Sequence, residues 1–182
     1  THRPFISGLA TSVGPPPATE VDRYYDDFNA TAAHLWMTAL PEETEGWAAA
    51  NHPENRWLAW TTPEGTHPLT GEGVGDHPVA PGRIGYQVYD EPRNIEHVDS
   101  MGVGVDRVRA EDPDALVVVN FGNADDSITE EALYTYAINT LDMDVIAYDY
   151  YSSGHGEYER AKLVRDLALQ HDLPYWRYID SY

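Results

Sequence analysis

The stretch Arg83-Ile84-Gly85-Tyr86-Gln87-Val88-Tyr89-Asp90-Glu91-Pro92 decides the fold. Side chains alternate along a strand, so Gly85, Gln87, Tyr89 and Glu91 share one face, and Ile84, Tyr86 and Val88 share the other. The second set is apolar, as a face packed under helices requires. The first ends on a carboxylate, and Pro92 stops the strand directly after it. A strand from Arg83 to Asp90 is therefore expected, with Glu91 delivered to its C-terminal end. The plainer alternative is that Asp90 and Glu91 open a solvated loop or cap the helix that follows.

Working outward, short β-rich runs alternate with helical patterns, the mark of an α/β fold with a parallel sheet. Before this strand, Pro4 to Ala10, Ala33 to Thr38 and Arg56 to Thr61 read as strands. Helices are expected from Thr19, with Val21, Tyr24, Tyr25 and Phe28 on one face, and from Pro41 to Ala50. After it, strands are expected at Leu116 to Phe121, Val145 to Asp149 and Pro174 to Ile179. Helices are expected from Asn94 to Ala110, from a capping box at Ser127-Ile128-Thr129-Glu130 to Leu141, and from Glu157 to His171. The Gly/Pro-rich loop between Thr62 and Gly82 breaks the alternation and is expected to wall the face that carries Glu91.

Seven strands in this order suggest a (β/α)8 TIM-type barrel, apparently incomplete, since complete barrels usually need about 250 residues. The reading treats residues 1–182 as a single barrel domain. The chain begins at Thr1 and stops just after the seventh strand, so a fragment or shortened variant is expected, with another chain or a missing segment closing the barrel.

Composition narrows the partners. With 31 acidic residues against 11 basic, the net charge is −20, which repels nucleic acid and anionic membranes. No apolar run approaches the roughly 18 residues needed to span a bilayer. The chain has no cysteine, which excludes disulfides, zinc-thiolate sites and thiol nucleophiles. Its eight histidines show no metal-binding spacing, and no phosphate loop or nucleophile elbow occurs, so neither metal nor cofactor is expected.

Three segments together resemble barrel glycoside hydrolases. His77-Pro78 with Gly85-Tyr86 and Asp90-Glu91-Pro92 is similar to their fourth-strand region. Asp144-Val145-Ile146-Ala147-Tyr148-Asp149-Tyr150-Tyr151 is similar to the sixth strand, and Pro174-Tyr175-Trp176-Arg177-Tyr178-Ile179-Asp180 to the seventh. The resemblance implies a secreted protein that cleaves a glycosidic bond, with Glu91 as acid/base at the barrel mouth.

Such hydrolysis needs a second carboxylate. Retaining relatives carry a Glu nucleophile at the end of the seventh strand, where this chain has Asp180. Asp149 also points inward, either to orient Glu91 or bind a sugar hydroxyl, or as the nucleophile. Aromatic faces stack on sugar rings, so Trp36, Trp60, Tyr89, Tyr150, Tyr151 and Trp176 are substrate-binding candidates, together with Asn120 at the end of the fifth strand. Each aromatic has a core role as its alternative. The rival function is a non-catalytic barrel for carbohydrate binding or extracellular assembly.

Overall fold

The computed structural model describes residues 7–10, 32–35, 56–66, 73, 82–150 and 155–178. Seven strands lie in one sheet in chain order: β1 (Ser7–Ala10), β2 (Ala32–Leu35), β3 (Arg56–Thr61), β4 (Arg83–Val88), β5 (Leu116–Phe121), β6 (Val145–Tyr148) and β7 (Tyr175–Arg177). Every neighbouring pair is parallel. Helices α1 (Ile95–Glu111), α2 (Glu130–Thr140) and α3 (His155–His171) follow β4, β5 and β6. The chain is thus α/β with a parallel sheet, as the alternation of patterns implied. The two earlier helices expected from the sequence lie outside the described residues.

All three helices pack on one face of the sheet. Tyr86, Val88, Val117, Val119, Phe121, Ile146 and Tyr148 from the strands form one buried cluster with Val98, Met101, Val105 and Val108 of α1. Leu133 and Tyr134 of α2 and Val164 and Leu167 of α3 complete it. These spacings of three and four put each helix's apolar stripe on the sheet. Fully burying side chains of this size stabilises by roughly 1.5–3 kcal/mol each.

The alternate strand residues face the other way. Leu58, Val118, Val145 and Ala147 form a second buried cluster, edged by Ile84, Trp176 and Tyr178. Tyr178 donates its hydroxyl to Oε1 of the fully buried Gln87 at 2.8 Å. Three strand spacings of about 4.8 Å would hold β4 and β7 about 14 Å apart in a flat sheet. The contact fits a sheet that curves toward this face, which its own side chains fill.

Ile84 departs from the expected alternation. The β3–β4 register jumps from Trp57↔Arg83 to Leu58↔Gly85, which makes Ile84 the extra residue of a bulge. It joins the concave-face cluster while Tyr86 and Val88 stay under the helices. Gly85 allows the close approach of β5: a Cβ there would lie 2.2 Å from the Leu116 carbonyl oxygen.

The helix starts differ in detail from the sequence reading. Asn94 caps α1 by accepting from the His97 N–H at 3.0 Å, and its amide donates to Asp125 at 2.8 Å, tying the loops after β4 and β5. Thr129, not Ser127, caps α2, accepting from Ala132 N–H at 3.3 Å. Ser127 is already engaged through its N–H and hydroxyl by the Asp125 carboxylate, so it is not free to cap. Residues 62–66 leave β3 at its C-terminal end and lie against α1, where a Cβ on Gly104 would sit 2.5 Å from the Pro63 carbonyl oxygen. Among the described residues, no helix is long and apolar enough to cross a membrane.

Candidate active site at the C-terminal edge of the sheet

Strand β4 ends at Val88, two residues earlier than its sequence pattern suggests. Tyr89 and Glu91 then take left-handed backbone angles, φ 60° and 48°. Non-glycine residues pay for this conformation, and such strain concentrates at functional sites. The turn is held by neighbours on both sides. Tyr89 N–H donates to the Thr61 carbonyl at 2.9 Å, and Glu91 N–H to the Asn120 carbonyl at 3.0 Å. Tyr89 consequently leaves the face it was expected to share with Gln87. Its ring packs on the helix-side core and meets His97 edge-on, centroids 5.8 Å apart.

Three carboxyl groups converge at this edge, from Asp90 and Glu91 after β4 and Asp149 after β6. Asn120, buried near the end of β5, bridges two of them. Its Nδ2 donates to Asp90 Oδ1 at 2.9 Å and to Asp149 Oδ2 at 3.2 Å. Those bonds fix the amide, because the reversed orientation would aim its oxygen at two carboxylates. Gln87 Nε2 adds a second donor to Asp90 Oδ1 at 2.8 Å. A continuous chain of hydrogen bonds thus runs Tyr178, Gln87, Asp90, Asn120, Asp149.

Glu91 joins it beside the Asp149 carboxyl, close enough for its acid form to hydrogen-bond there. Its side chain is one quarter exposed, and Arg93 stands 3.6 Å from Oε2. Burial first, then the Asp149 bond and the charges of Asp149 and Asp90, push Glu91 up to about 7 against the pull of Arg93. Burial also raises Asp90, opposed by its bond from Asn120. Burial is thus a larger cause than the neighbouring Asp149.

Glu91 lies directly on the backbone of Gly122, just past β5. A Cβ on Gly122 would fall 2.6 Å from Glu91 Cδ and 2.8 Å from Oε1. The glycine is therefore part of the site, and its carbonyl is pinned by the Tyr134 hydroxyl at 2.8 Å.

An open cleft of about 440 Å³ lies between the loops after β5 and β6, lined by Asn123, Glu130, Tyr150, Gly156, Glu159, Arg160 and Leu163. Neither Glu91 nor Asp149 lines it. Arg160, buried on α3, links the two places. It donates to the Asp149 carbonyl at 3.2 Å and to the Asn123 and Glu130 side chains, and its guanidinium lies 4.7 Å from the Tyr150 ring centroid.

The structure brings together Glu91, Asp149 and Asn120 among the candidates read from the sequence. Tyr150 belongs to the neighbouring cleft. Trp60 is half-buried on β3 in register with Gln87. Trp176 packs against the concave-face cluster, which gives it a core role. Trp36, Tyr151 and Asp180 lie outside the described residues. Sequence reasoning missed Asp90, Gly122 and Arg160. Arg160 had a signal: it shares the 160, 164, 167, 168 stripe with Val164, Leu167 and Ala168, a charged residue at a core position. Among the described residues, no cluster of three or more His, Asp or Glu is arranged to hold a metal ion. In comparisons with known proteins, no family model matches the chain, and neither does any curated protein.

Proposed function

We propose that the chain is a glycoside-hydrolase-like protein whose curved sheet is the larger part of an incomplete (β/α)8 barrel, with Glu91 as general acid/base. The barrel reading draws on the chain-ordered parallel strands, the helices on one face and the Tyr178–Gln87 contact across the other. The observation that carries the chemistry is the Glu91 carboxyl, part-buried at the C-terminal edge and raised to about 7. A carboxylic acid that keeps its proton near neutral pH can protonate the leaving oxygen of a glycoside. Once ionised, it can take a proton from the incoming water.

Asp149 serves this reading as the group that tunes and orients Glu91. Paired carboxyls of retaining enzymes stand about 5–5.5 Å apart and those of inverting enzymes about 6.5–9.5 Å. Asp149 stands beside Glu91 as a neighbour that raises it, which suits tuning better than a place across the scissile bond. The carboxylate across the bond is then sought after β7, where Asp180 is the candidate. A carbohydrate substrate and an extracellular setting belong to the same proposal.

The test is hydrolysis of a panel of oligo- and polysaccharides as a function of pH. Protonated Glu91 is the active acid, so turnover should fall as pH rises through about 7. Turnover undiminished up to about pH 9 would remove Glu91 from the acid role. Binding of a glycan without any hydrolysis would favour a non-catalytic carbohydrate-binding barrel.

A further inference from the structure

We infer that Arg160 is a positioning residue for the Glu91 site: it holds the Asp149 segment in place from α3, and through Asp149 it holds the Glu91 carboxyl. The inference rests on the Glu91 reading for its catalytic meaning, while its geometry stands apart from that reading.

Arg160 is 4% exposed, on the same helical stripe as Val164, Leu167 and Ala168. A charge at a core position is costly, and an apolar side chain of similar volume there is often neutral or stabilising. What Arg160 gains is reach. One Nη donates to the main-chain oxygen of Asp149 at 3.2 Å. The other meets Asn123 after β5 and the Glu130 carboxylate in the first turn of α2. Its flat face covers Tyr150, the residue next to Asp149. One planar group therefore ties the segments after β5 and β6 to the starts of two helices, which a single apolar contact cannot do.

Asp149 is fixed from two sides as a result. Asn120 holds its carboxyl at 3.2 Å and Arg160 its carbonyl, which keeps the carboxyl beside Glu91. The charged and titratable groups facing Glu91 are Asp90 and Arg93 after β4, Asp149 after β6 and Tyr134 on α2. Of these, only Asp149 is bound by Arg160. Freeing the Asp149 segment should take the Asp149 contribution away from Glu91 and let it fall part of the way toward an ordinary carboxylate, with burial still holding it up.

The experiment follows the Glu91 carboxyl directly, by carbon NMR of protein labelled at glutamate side chains, with Glu91→Gln identifying the resonance. It needs no substrate. In Arg160→Met/Glu130→Gln, where the buried charge and its counter-ion leave together, the midpoint should drop by about one pH unit or more from its wild-type value near 7. Arg160→Lys, a point charge that cannot serve Asp149 and Glu130 at once, should give a smaller drop. It answers the same question if the double variant does not fold. A wild-type midpoint with lowered thermal stability would mean that Arg160 only fastens α3 to α2, and would overturn the inference. So would a wild-type protein in which Glu91 already titrates near 4.5. If the drop occurs and no glycoside is hydrolysed by any form, the positioning role stands and the hydrolase reading fails.

Discussion

Gly122→Ala tests the site with the smallest possible change. The added Cβ would lie 2.6 Å from Glu91 Cδ, 2.7 Å from Cγ and 2.8 Å from Oε1. Carbon atoms pack comfortably at about 3.5–4.0 Å, so one side must retreat by about 1 Å. The Gly122 backbone is pinned through its carbonyl by Tyr134, whereas Glu91 ends in a rotatable carboxyl. Glu91 should therefore move away from its place beside Asp149. A misplacement of about 1 Å costs on the order of 10²-fold in rate. Stability should barely change. A strained rotamer costs about 0.5–1.5 kcal/mol, and replacing glycine gains about 0.4–1 kcal/mol from the unfolded chain. The melting temperature should then stay within about 4 °C for a chain of this size. The assay pairs glycoside kcat/KM with thermal unfolding. Wild-type turnover in a normally folded variant would refute the placement of Glu91 against Gly122. Equal losses of rate and stability would show a folding defect instead.

Other outcomes follow from the same geometry. In Gly85→Ala the new Cβ meets the Leu116 main chain at 2.2 Å, which cannot yield; β4 and β5 should separate, and circular dichroism should show a loss on the order of 3 kcal/mol, at the upper end for point mutants. Tyr178→Phe removes the hydroxyl that donates to the Gln87 amide oxygen across this face, so chemical denaturation should show a cost of about 1–3 kcal/mol; no change would argue against the curved sheet. Folded Glu91 titrates near 7 against about 4.5 in the unfolded chain, so its contribution is complete below about 4.5 and is lost as pH rises to about 7. Wild-type thermal stability should accordingly decline relative to Glu91→Gln over that window, and a constant difference between the two curves would contradict the raised midpoint.

Much of the fold was legible because strand and helix periods differ. β3 and β5 match their sequence ranges at both ends, and α1 and α3 lie within two residues of theirs. Alternation along β4 failed at two points for local reasons. The bulge at Ile84 resets the faces, and the left-handed turn at Tyr89 ends the strand before the side-chain pattern does. Neither leaves a trace in residue type, since isoleucine and tyrosine are ordinary strand residues. The convergence of Glu91, Asn120 and Asp149 was legible because each stands at the C-terminal end of its strand. The role of Gly122 was not, because it arises from a contact made only after β4 and β5 have packed; Arg160 stood out only as a charge on a core stripe, and its partners are set by the packing of α3.

The central claim is that Glu91 donates a proton, and leaving-group dependence tests it most directly. Glu91→Gln keeps the shape and a hydrogen-bonding amide but cannot deliver the proton. On ordinary glycosides, which need protonation to depart, the account predicts a rate loss on the order of 10²–10⁴-fold with binding nearly unchanged. On an activated aryl glycoside, whose leaving group departs as an anion, the loss should be far smaller. Equal rates for wild type and variant on ordinary glycosides would contradict the account.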